Sequence, residues 1–209
     1  MSNYIRVARK EDAKYFIEIK NQLTFENTTG KNSNGGFLLG TDLATYEFYI
    51  ANGFCLVAEI NHKVIGFGII LGDDLLRKSD LWQRKDEVDW TIQIDIFEHK
   101  KIGYIEQLAF LKGNRRLALK LAYNLAKWVF DQNTDALFTT TVNKPVVNLA
   151  ALPFIYALSG YKIGEVDEFY PSFGPIKSDI YLIESKSFYK NTQSHPLYNY
   201  LNSDMIALL

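Results

Sequence analysis

The chain has 209 residues, with 23 Lys and Arg against 24 Asp and Glu, three His and one Cys. That length suits a single domain whose core needs no staples, and 47% hydrophobic with 22% charged residues is globular composition rather than disorder. A net charge of -1 leaves out a broad electrostatic footprint for nucleic acid or an acidic membrane, and a lone Cys leaves out an internal disulfide or a multi-Cys metal site. No run of about 18 apolar residues marks a bilayer span, and the opening Met1-Ser-Asn-Tyr-Ile-Arg6 lacks the apolar stretch of a secretory signal. The expectation is a cytoplasmic protein. The unusual figure is 14% aromatic residues.

Residues 4–8 alternate and predict a short strand. A helix follows to about Gln22, with Glu11 and Asp12 in its first turn, where the dipole favours acids. Residues 24–40 are rich in Asn, Thr and Gly and predict a loop. Asp42 caps a helix over 43–51. Strands at 53–60 and 64–71 flank a turn at 61–63, the pattern of a hairpin. Residues 73–101 are charged, hold Trp82 and Trp90, and read as an insertion with a short strand at 91–96. The strand 102–111 is apolar on both faces except at Glu106 and Gln107, which predicts a central position. Residues 113–132 give the best helix in the chain, with Leu117, Leu121, Leu125, Trp128 and Val129 on one face. A Thr-rich, β-branched strand follows at 136–142. A helix is predicted over 145–159, with Pro145 in its first turn, a kink or break at Pro153, and Gly160 ending it. Two strands, 161–170 and 178–185, are separated by Pro171-Ser-Phe-Gly-Pro175. The aromatic tail ends in a short helix. The expected fold class is α/β (α+β), a mixed and mostly antiparallel sheet of about seven strands flanked by helices, in one domain over 1–209. Insertions fall at about 23–41 and 73–101, with a C-terminal extension from about 187.

This order, together with four local strings, resembles the GNAT superfamily of acyl-CoA N-acyltransferases. Ile5-Arg-Val-Ala-Arg-Lys-Glu-Asp-Ala13 is similar to the family's opening I-R-x-A-x-x-x-D-A. Tyr104-Ile-Glu-Gln-Leu-Ala-Phe110 resembles its Y-I-x-x-L-A-V strand. Asn148-Leu-Ala-Ala151, then Tyr156-Ala-Leu-Ser-Gly-Tyr161, resemble N-x-x-A and Y-x-x-x-G-F, and Asp179-Ile-Tyr-Leu-Ile183 looks like the closing strand. The resemblance covers roughly 4–72 and 102–186. It implies an N-acetyltransferase that moves an acetyl group from acetyl-CoA to a primary amine of a small molecule or peptide, without a metal. It also implies a cofactor site over Leu108, Ala109, Phe110, Lys112, Gly113, Asn114, Arg115, Arg116, Leu117, Ala118 and Asn148.

One departure bears on that site. The family's phosphate loop reads Q/R-x-x-G-x-G/A, so that backbone N–H groups approach a pyrophosphate at a helix N-terminus. Here the stretch is Lys112-Gly-Asn-Arg-Arg-Leu-Ala118. Helix phase puts Leu117, Leu121, Ala122 and Leu125 on the buried face. That sets Gly113 at the Q/R position, Arg116 at the first glycine and Ala118 at the last. A register beginning at Arg115 would bury Asn124 and Lys127 instead. Basic residues at a helix N-terminus oppose its dipole. A bound polyanion would account for them, and so would a merely solvated basic turn.

Acetylation needs a neutral amine, and an alkylammonium with a pKa near ~10.4 costs roughly 4–5 kcal/mol to deprotonate at pH 7. Glu106 is the candidate base, a carboxylate in an otherwise buried strand, sharing a face with Tyr104, Leu108 and Phe110 by period two. Burial raises such a pKa toward a useful value. The bland alternative is a structural carboxylate held by a neighbouring backbone group or Tyr. The resemblance assigns Tyr156 as the phenol that protonates the departing thiolate, against an ordinary helix-face Tyr. Asn148 either binds the pantetheine arm or caps local backbone. Its spacing to Tyr156 is one residue longer than the family's, with Pro153 between. Amides near Leu108 and Phe110 would hold the thioester oxygen.

Other motifs carry less. Gly66-Phe-Gly68 with Gly72 lies in a strand and is no dinucleotide fingerprint. Cys55 reads as a buried, inert thiol. His62, His99 and His195 lack ligand spacing. Asp73-Asp74 and the set Glu165, Asp167, Glu168 read as solvated edges, although the latter set can face a cationic acceptor. Asn27-Thr-Thr29 matches a glycosylation acceptor without a secretory signal. The acceptor site falls to 23–41 and 73–101. The sequence does not name the acceptor, and a homodimer is compatible with it. A catalytically degenerate GNAT-like module that binds or regulates is the alternative function.

Overall fold

The computed structural model describes residues 3–23, 30–36, 38, 40–170 and 173–203. Residues 24–29, 37 and 39 of the expected 24–40 loop, with the Asn27-Thr-Thr29 string, lie outside the described residues, as do positions 1 and 2, Pro171-Ser172 of the inter-strand turn and the end of the tail. The elements are β1 (Asn3–Val7), α1 (Ala13–Gln22), β2 (Gly30–Asn32), α2 (Leu43–Asn52), β3 (Phe54–Ile60), β4 (Lys63–Leu71), α3 (Asp73–Arg77), α4 (Asp80–Gln83), β5 (Asp89–Trp90) and β6 (Ile102–Phe110). There follow α5 (Arg115–Asp131), β7 (Ala136–Lys144), β8 (Val146–Asn148), α6 (Leu152–Ala157), β9 (Tyr161–Tyr170), β10 (Gly174–Glu184), α7 (Ser185–Gln193) and α8 (Tyr198–Leu201).

Eight strands form one sheet in the order β1-β3-β4-β6-β7-β10-β9-β5. Every pairing is antiparallel except β6 with β7. The expected count was seven. The eighth, β5, is a two-residue strand from the 73–101 insertion, laid on the edge of β9 at Gly164. Gly164 permits this approach, since a Cβ there would stand 2.9 Å from the Asp89 carbonyl oxygen. The strand expected at 91–96 is therefore displaced to 89–90, and Ile94–Phe97 form a 3₁₀ turn.

One face of the sheet is covered by α1 and α2, whose Phe16, Ile19 and Tyr46 pack on Phe67 and Ile69. The same face further along is covered by the insertion, where Leu76, Trp82 and Phe97 close over Phe138 and Ile180. The opposite face carries α5. Leu117, Leu121, Ala122 and Leu125 are buried there, as helix phase requires. Asn124 is buried as well, contrary to expectation. The tail lies over it, and its side chain donates to the Leu201 carbonyl at 3.4 Å. Phe188 is fully buried, stacked on Tyr123 and tilted against Phe130. Residues 187–203 thus pack on α5 as part of the core.

The helix expected over 145–159 is shorter and starts later. Val146 and Val147 stay extended and pair in parallel with Gly30–Asn32 as a second small sheet. The helix begins at Leu152, with Pro153 in its first turn, where no backbone donor is needed. Pro145 therefore precedes a strand, and Pro153 introduces no kink.

Candidate active site

The site grows from one irregularity. On β6, Gln107 pairs with Ile69 and Ile105 with Ile70, so Glu106 is an extra residue. Such a bulge breaks the alternation of side chains. Gln107 turns to the α2 face, where it accepts from the Tyr46 hydroxyl at 2.9 Å and donates to Thr41 Oγ1 at 2.8 Å. Glu106 faces the same side, with the Tyr49 hydroxyl at 3.5 Å. Leu108 and Phe110 pack on the α5 face. The expected shared face of Glu106 with Leu108 and Phe110 does not hold, because the bulge shifts the period between them.

A second irregularity opens the sheet. The parallel pairing of β6 with β7 runs only from Ile102–Ala136 to Ile105–Thr139. Beyond it the two strands part, and two clefts meet in the gap. The larger, about 590 Å³, lies toward α5 and α6, and the smaller, about 310 Å³, lies toward the insertion. Glu106, Gln107, Thr140 and Asn148 line both.

The larger cleft has an apolar corridor of Ile70, Ile105, Leu125, Phe154 and Leu158, and a basic end of Lys112 and Arg115. The amide of Leu111 donates to Ile65 on β4 at 2.8 Å. Antiparallel alternation then turns the amides of Leu108 and Phe110 the other way, toward the cleft. Gly66 on β4 lets the Phe110 ring lie flat on the sheet, since a Cβ there would stand 2.2 Å from it. At the basic end Gly113 has φ +102 with open space around it, and Asn114 precedes the helix without capping it through its side chain. The first helical amides, at Arg115, Arg116 and Leu117, therefore lack intrahelical acceptors. Unpaired amides beside Lys112 and Arg115 fit a phosphate group.

Of the expected cofactor residues, Leu108, Ala109, Phe110, Lys112, Gly113, Asn114, Arg115, Ala118 and Asn148 line this cleft. Arg116 does not. It is exposed, with its charge near Tyr200. Leu117 is buried in the core. Tyr156 is not brought together with Glu106 either. It is 57% exposed, its ring set edge-on to Tyr181 with centroids 6.1 Å apart. The neighbours Pro153, Phe154, Ile155 and Leu158 line the cleft instead. Tyr156 lies on the exposed side of the six-residue α6, off its lining face.

Burial pushes the Glu106 carboxyl up to about 7; the Tyr49 hydroxyl pulls it down, and the negative charge of Glu168 adds to the rise. The phenol of Tyr104 is driven well above its usual value, chiefly by burial, and bonds Thr140 Oγ1 at 2.6 Å. Cys55 is buried, its thiol pushed up to about 12 by burial, and it lines neither cleft. Sequence reasoning missed Tyr49 and Thr140 as site groups, because only the bulge and the strand separation bring them to Glu106, and it placed Glu168 on a solvated edge able to face a cationic acceptor, where the structure has it lining the smaller cleft. It assigned 23–41 to the acceptor side, yet Ser33, Asn34, Gly35, Gly36 and Leu38 line the larger cleft. Among the described residues no group of three or more His, Cys, Asp or Glu is placed to hold a metal ion, and no helix is long and apolar enough to cross a membrane.

By sequence, the chain matches no protein-family model and no curated protein. By fold it is similar to an N-acetyltransferase from Staphylococcus aureus Mu50, with a TM-score of 0.60, 12% identity, and coverage of 88% of this chain and 98% of that one. It is similar to the ribosomal-protein-S18-alanine N-acetyltransferase from Escherichia coli, with a TM-score of 0.58, 13% identity, and coverage of 88% and 94%. It also resembles yncA from Salmonella typhimurium, solved with its cofactor acetyl-CoA, with a TM-score of 0.56, 17% identity, and coverage of 88% and 94%. The chain has the GNAT N-acyltransferase fold.

Proposed function

We propose that this chain transfers an acetyl group from acetyl-CoA to a primary amine of a small molecule or peptide. One observation carries the reading. Glu106, with a carboxyl near neutrality, stands at the neck shared by two clefts. The larger cleft suits an extended thioester arm ending in phosphates, with Lys112, Arg115 and the α5 amides at the phosphate end. The smaller cleft admits the acceptor.

Glu106 takes a proton from the incoming ammonium, directly or through one water. The freed nitrogen lone pair attacks the carbonyl carbon of the thioester. A C–N bond forms, the C–S bond breaks, and the acylated nitrogen gives up its second proton to solvent. The amides of Leu108 and Phe110 receive the developing oxyanion. The thiolate, whose conjugate thiol has an ordinary pKa of about 8.5, takes its proton from solvent. Tyr156, on its exposed perch, is not required for that step.

The position of Tyr156 and the missing middle glycine of the phosphate loop favour a second reading, a GNAT-fold module that binds without catalysis. Thermal-shift titration with acetyl-CoA followed by a thiol-release assay over an amine panel separates the two. Binding at about 100 times Kd adds about 2.7 kcal/mol to stability. No shift at millimolar acetyl-CoA would overturn donor binding, and a shift without thiol release across the panel would favour the module.

A further inference from the structure

Two consecutive side chains of β6, Glu106 and Gln107, leave the sheet on the same side, and the second is a neutral amide. Gln107 is 7% exposed, on a face otherwise packed with Phe67, Ile69 and Ala109. A buried amide costs free energy unless its donors and acceptor are met. Here both ends are met. Tyr46 donates its hydroxyl to Oε1 at 2.9 Å, and Nε2 donates to Thr41 Oγ1 at 2.8 Å.

The grip follows from how α2 begins. Asp42 is its N-cap, accepting from the Thr45 amide at 2.8 Å. Thr41 therefore stands just before the cap and Tyr46 at the fourth helical position, the two positions that meet across the start of a helix. Apolar residues there would staple the helix; hydroxyls there hold the Gln107 amide. Both are fixed from behind. The Tyr46 ring is fully buried, edge-on to Phe16 and Phe67 with centroids 5.4 and 5.6 Å away, and the Lys20 ammonium donates to the Thr41 carbonyl. Neither Tyr46 nor Thr41 lines either cleft. Apolar side chains would fill this space at less cost, whereas a satisfied buried polar network specifies one arrangement.

That arrangement is the register of β6. Ile105 pairs with Ile70 and Gln107 with Ile69. A ladder without the extra residue would pair Glu106 with Ile69, send Gln107 into the apolar α5 face and turn the amides of Leu108 and Phe110 to β4.

We propose that Gln107 is the positioning residue of this site: held by Tyr46 and Thr41, it locks the bulge that sets Glu106 at the neck and the Leu108 and Phe110 amides toward the larger cleft. The use of those groups in catalysis rests on the acetyl-transfer reading; the lock on the register does not.

Amide hydrogen exchange reads the lock without turnover. In the unaltered chain the amides of Ala109 and Leu111 are expected to be protected, and those of Leu108 and Phe110 to exchange at least about tenfold faster. Gln107→Met keeps the side-chain length, removes both bonds and should narrow or invert that difference. Tyr46→Phe removes a single hydroxyl outside both clefts and should narrow it in the same direction. The unaltered pattern in both variants overturns the proposal. In turnover, Gln107→Met should lower kcat by about 100-fold, the scale of a misplacement near 1 Å, and Tyr46→Phe by about tenfold, the scale of one hydrogen bond. KM and the calorimetric Kd for acetyl-CoA should stay within about threefold, at unchanged stoichiometry. Tyr46→Phe should add nothing in the Gln107→Met background. A raised KM with kcat kept would make Gln107 a substrate contact, and kcat within about twofold would leave it idle; either overturns the proposal and leaves acetyl transfer intact. No thiol release from the unaltered chain over the amine panel overturns acetyl transfer instead, and exchange alone then decides the lock.

Discussion

Tyr49 on α2 points its hydroxyl at the Glu106 carboxylate from 3.5 Å. This contact reaches the one residue of β6 that the bulge sets out of register. A donor aimed at the charged form of an acid lowers its pKa, and burial raises it. The balance leaves Glu106 at about 7. Tyr49→Phe removes the donor and leaves the burial. The acid limb of the kcat/KM profile should therefore move to higher pH, by roughly 0.3–1 unit given a bond at the long end of hydrogen-bond range. A limb that stays put, or moves to lower pH, would show that Glu106 is not the group titrating.

Glu106→Gln should lower turnover by about 100-fold or more at neutral pH, since no base then receives the ammonium proton. The same variant makes a prediction about stability with a definite sign. The carboxyl rises from 4.5 in the unfolded chain to about 7 when folded. Its contribution to folding is then fully present below about pH 4.5 and is lost as pH rises through about 7. Gln abolishes that loss. The variant should be more stable than the native chain above pH 8, by on the order of 3 kcal/mol, and equal to it near pH 4. Urea unfolding at the two pH values measures the difference. A variant less stable at both would mean that Glu106 is a structural carboxylate.

Much of this architecture follows from patterns readable in the chain. Asp42 caps α2 through Thr45, as its residue type before an apolar run requires. The strands 53–60 and 64–71 fall within a residue of β3 and β4 because their apolar runs are bounded by the Asn61-His62 turn. Glu106 stands out as a carboxylate in an apolar strand. What escapes is whatever depends on a partner distant in sequence. Nothing local in Tyr104–Phe110 signals a bulge, since the bulge is defined by the register against β4. Val146 and Val147 look like the start of a helix behind a Pro until Gly30–Asn32 comes alongside. Asn124 looks like a surface residue until the tail covers it. Glu168 looks solvated beside Glu165 and Asp167 until alternation and the insertion enclose it.

The tail makes a plain stability prediction. Phe188 is fully buried between Tyr123 and Phe130 on the outer face of α5. A Phe→Ala change at such a site costs about 3–5 kcal/mol, transfer and cavity together. Phe188→Ala should shift the urea midpoint accordingly, and removing 187–209 should cost more, because α5 would then expose Tyr123, Asn124 and Phe130 at once. A loss below about 1 kcal/mol would mark the tail as an appendage.

The basic loop offers a test that separates two adjacent arginines. Arg115 lines the larger cleft at the α5 N-terminus, whereas Arg116 is exposed outside it, near Tyr200. If the loop were merely a solvated basic turn, neither residue would matter to a ligand. If phosphates sit there, only the arginine facing the cleft should. Arg115→Ala should weaken acetyl-CoA binding by about tenfold at low ionic strength, the scale of one charge-assisted contact, and by less as salt screens the remaining attraction. Arg116→Ala should leave affinity within about twofold, since at that distance from the cleft its charge acts only through screened solvent. Calorimetric titration at two salt concentrations distinguishes these outcomes. Equal losses from both variants would mean that the loop attracts polyanions by net charge alone. No loss from Arg115→Ala would leave the unpaired α5 amides to hold the phosphates without it.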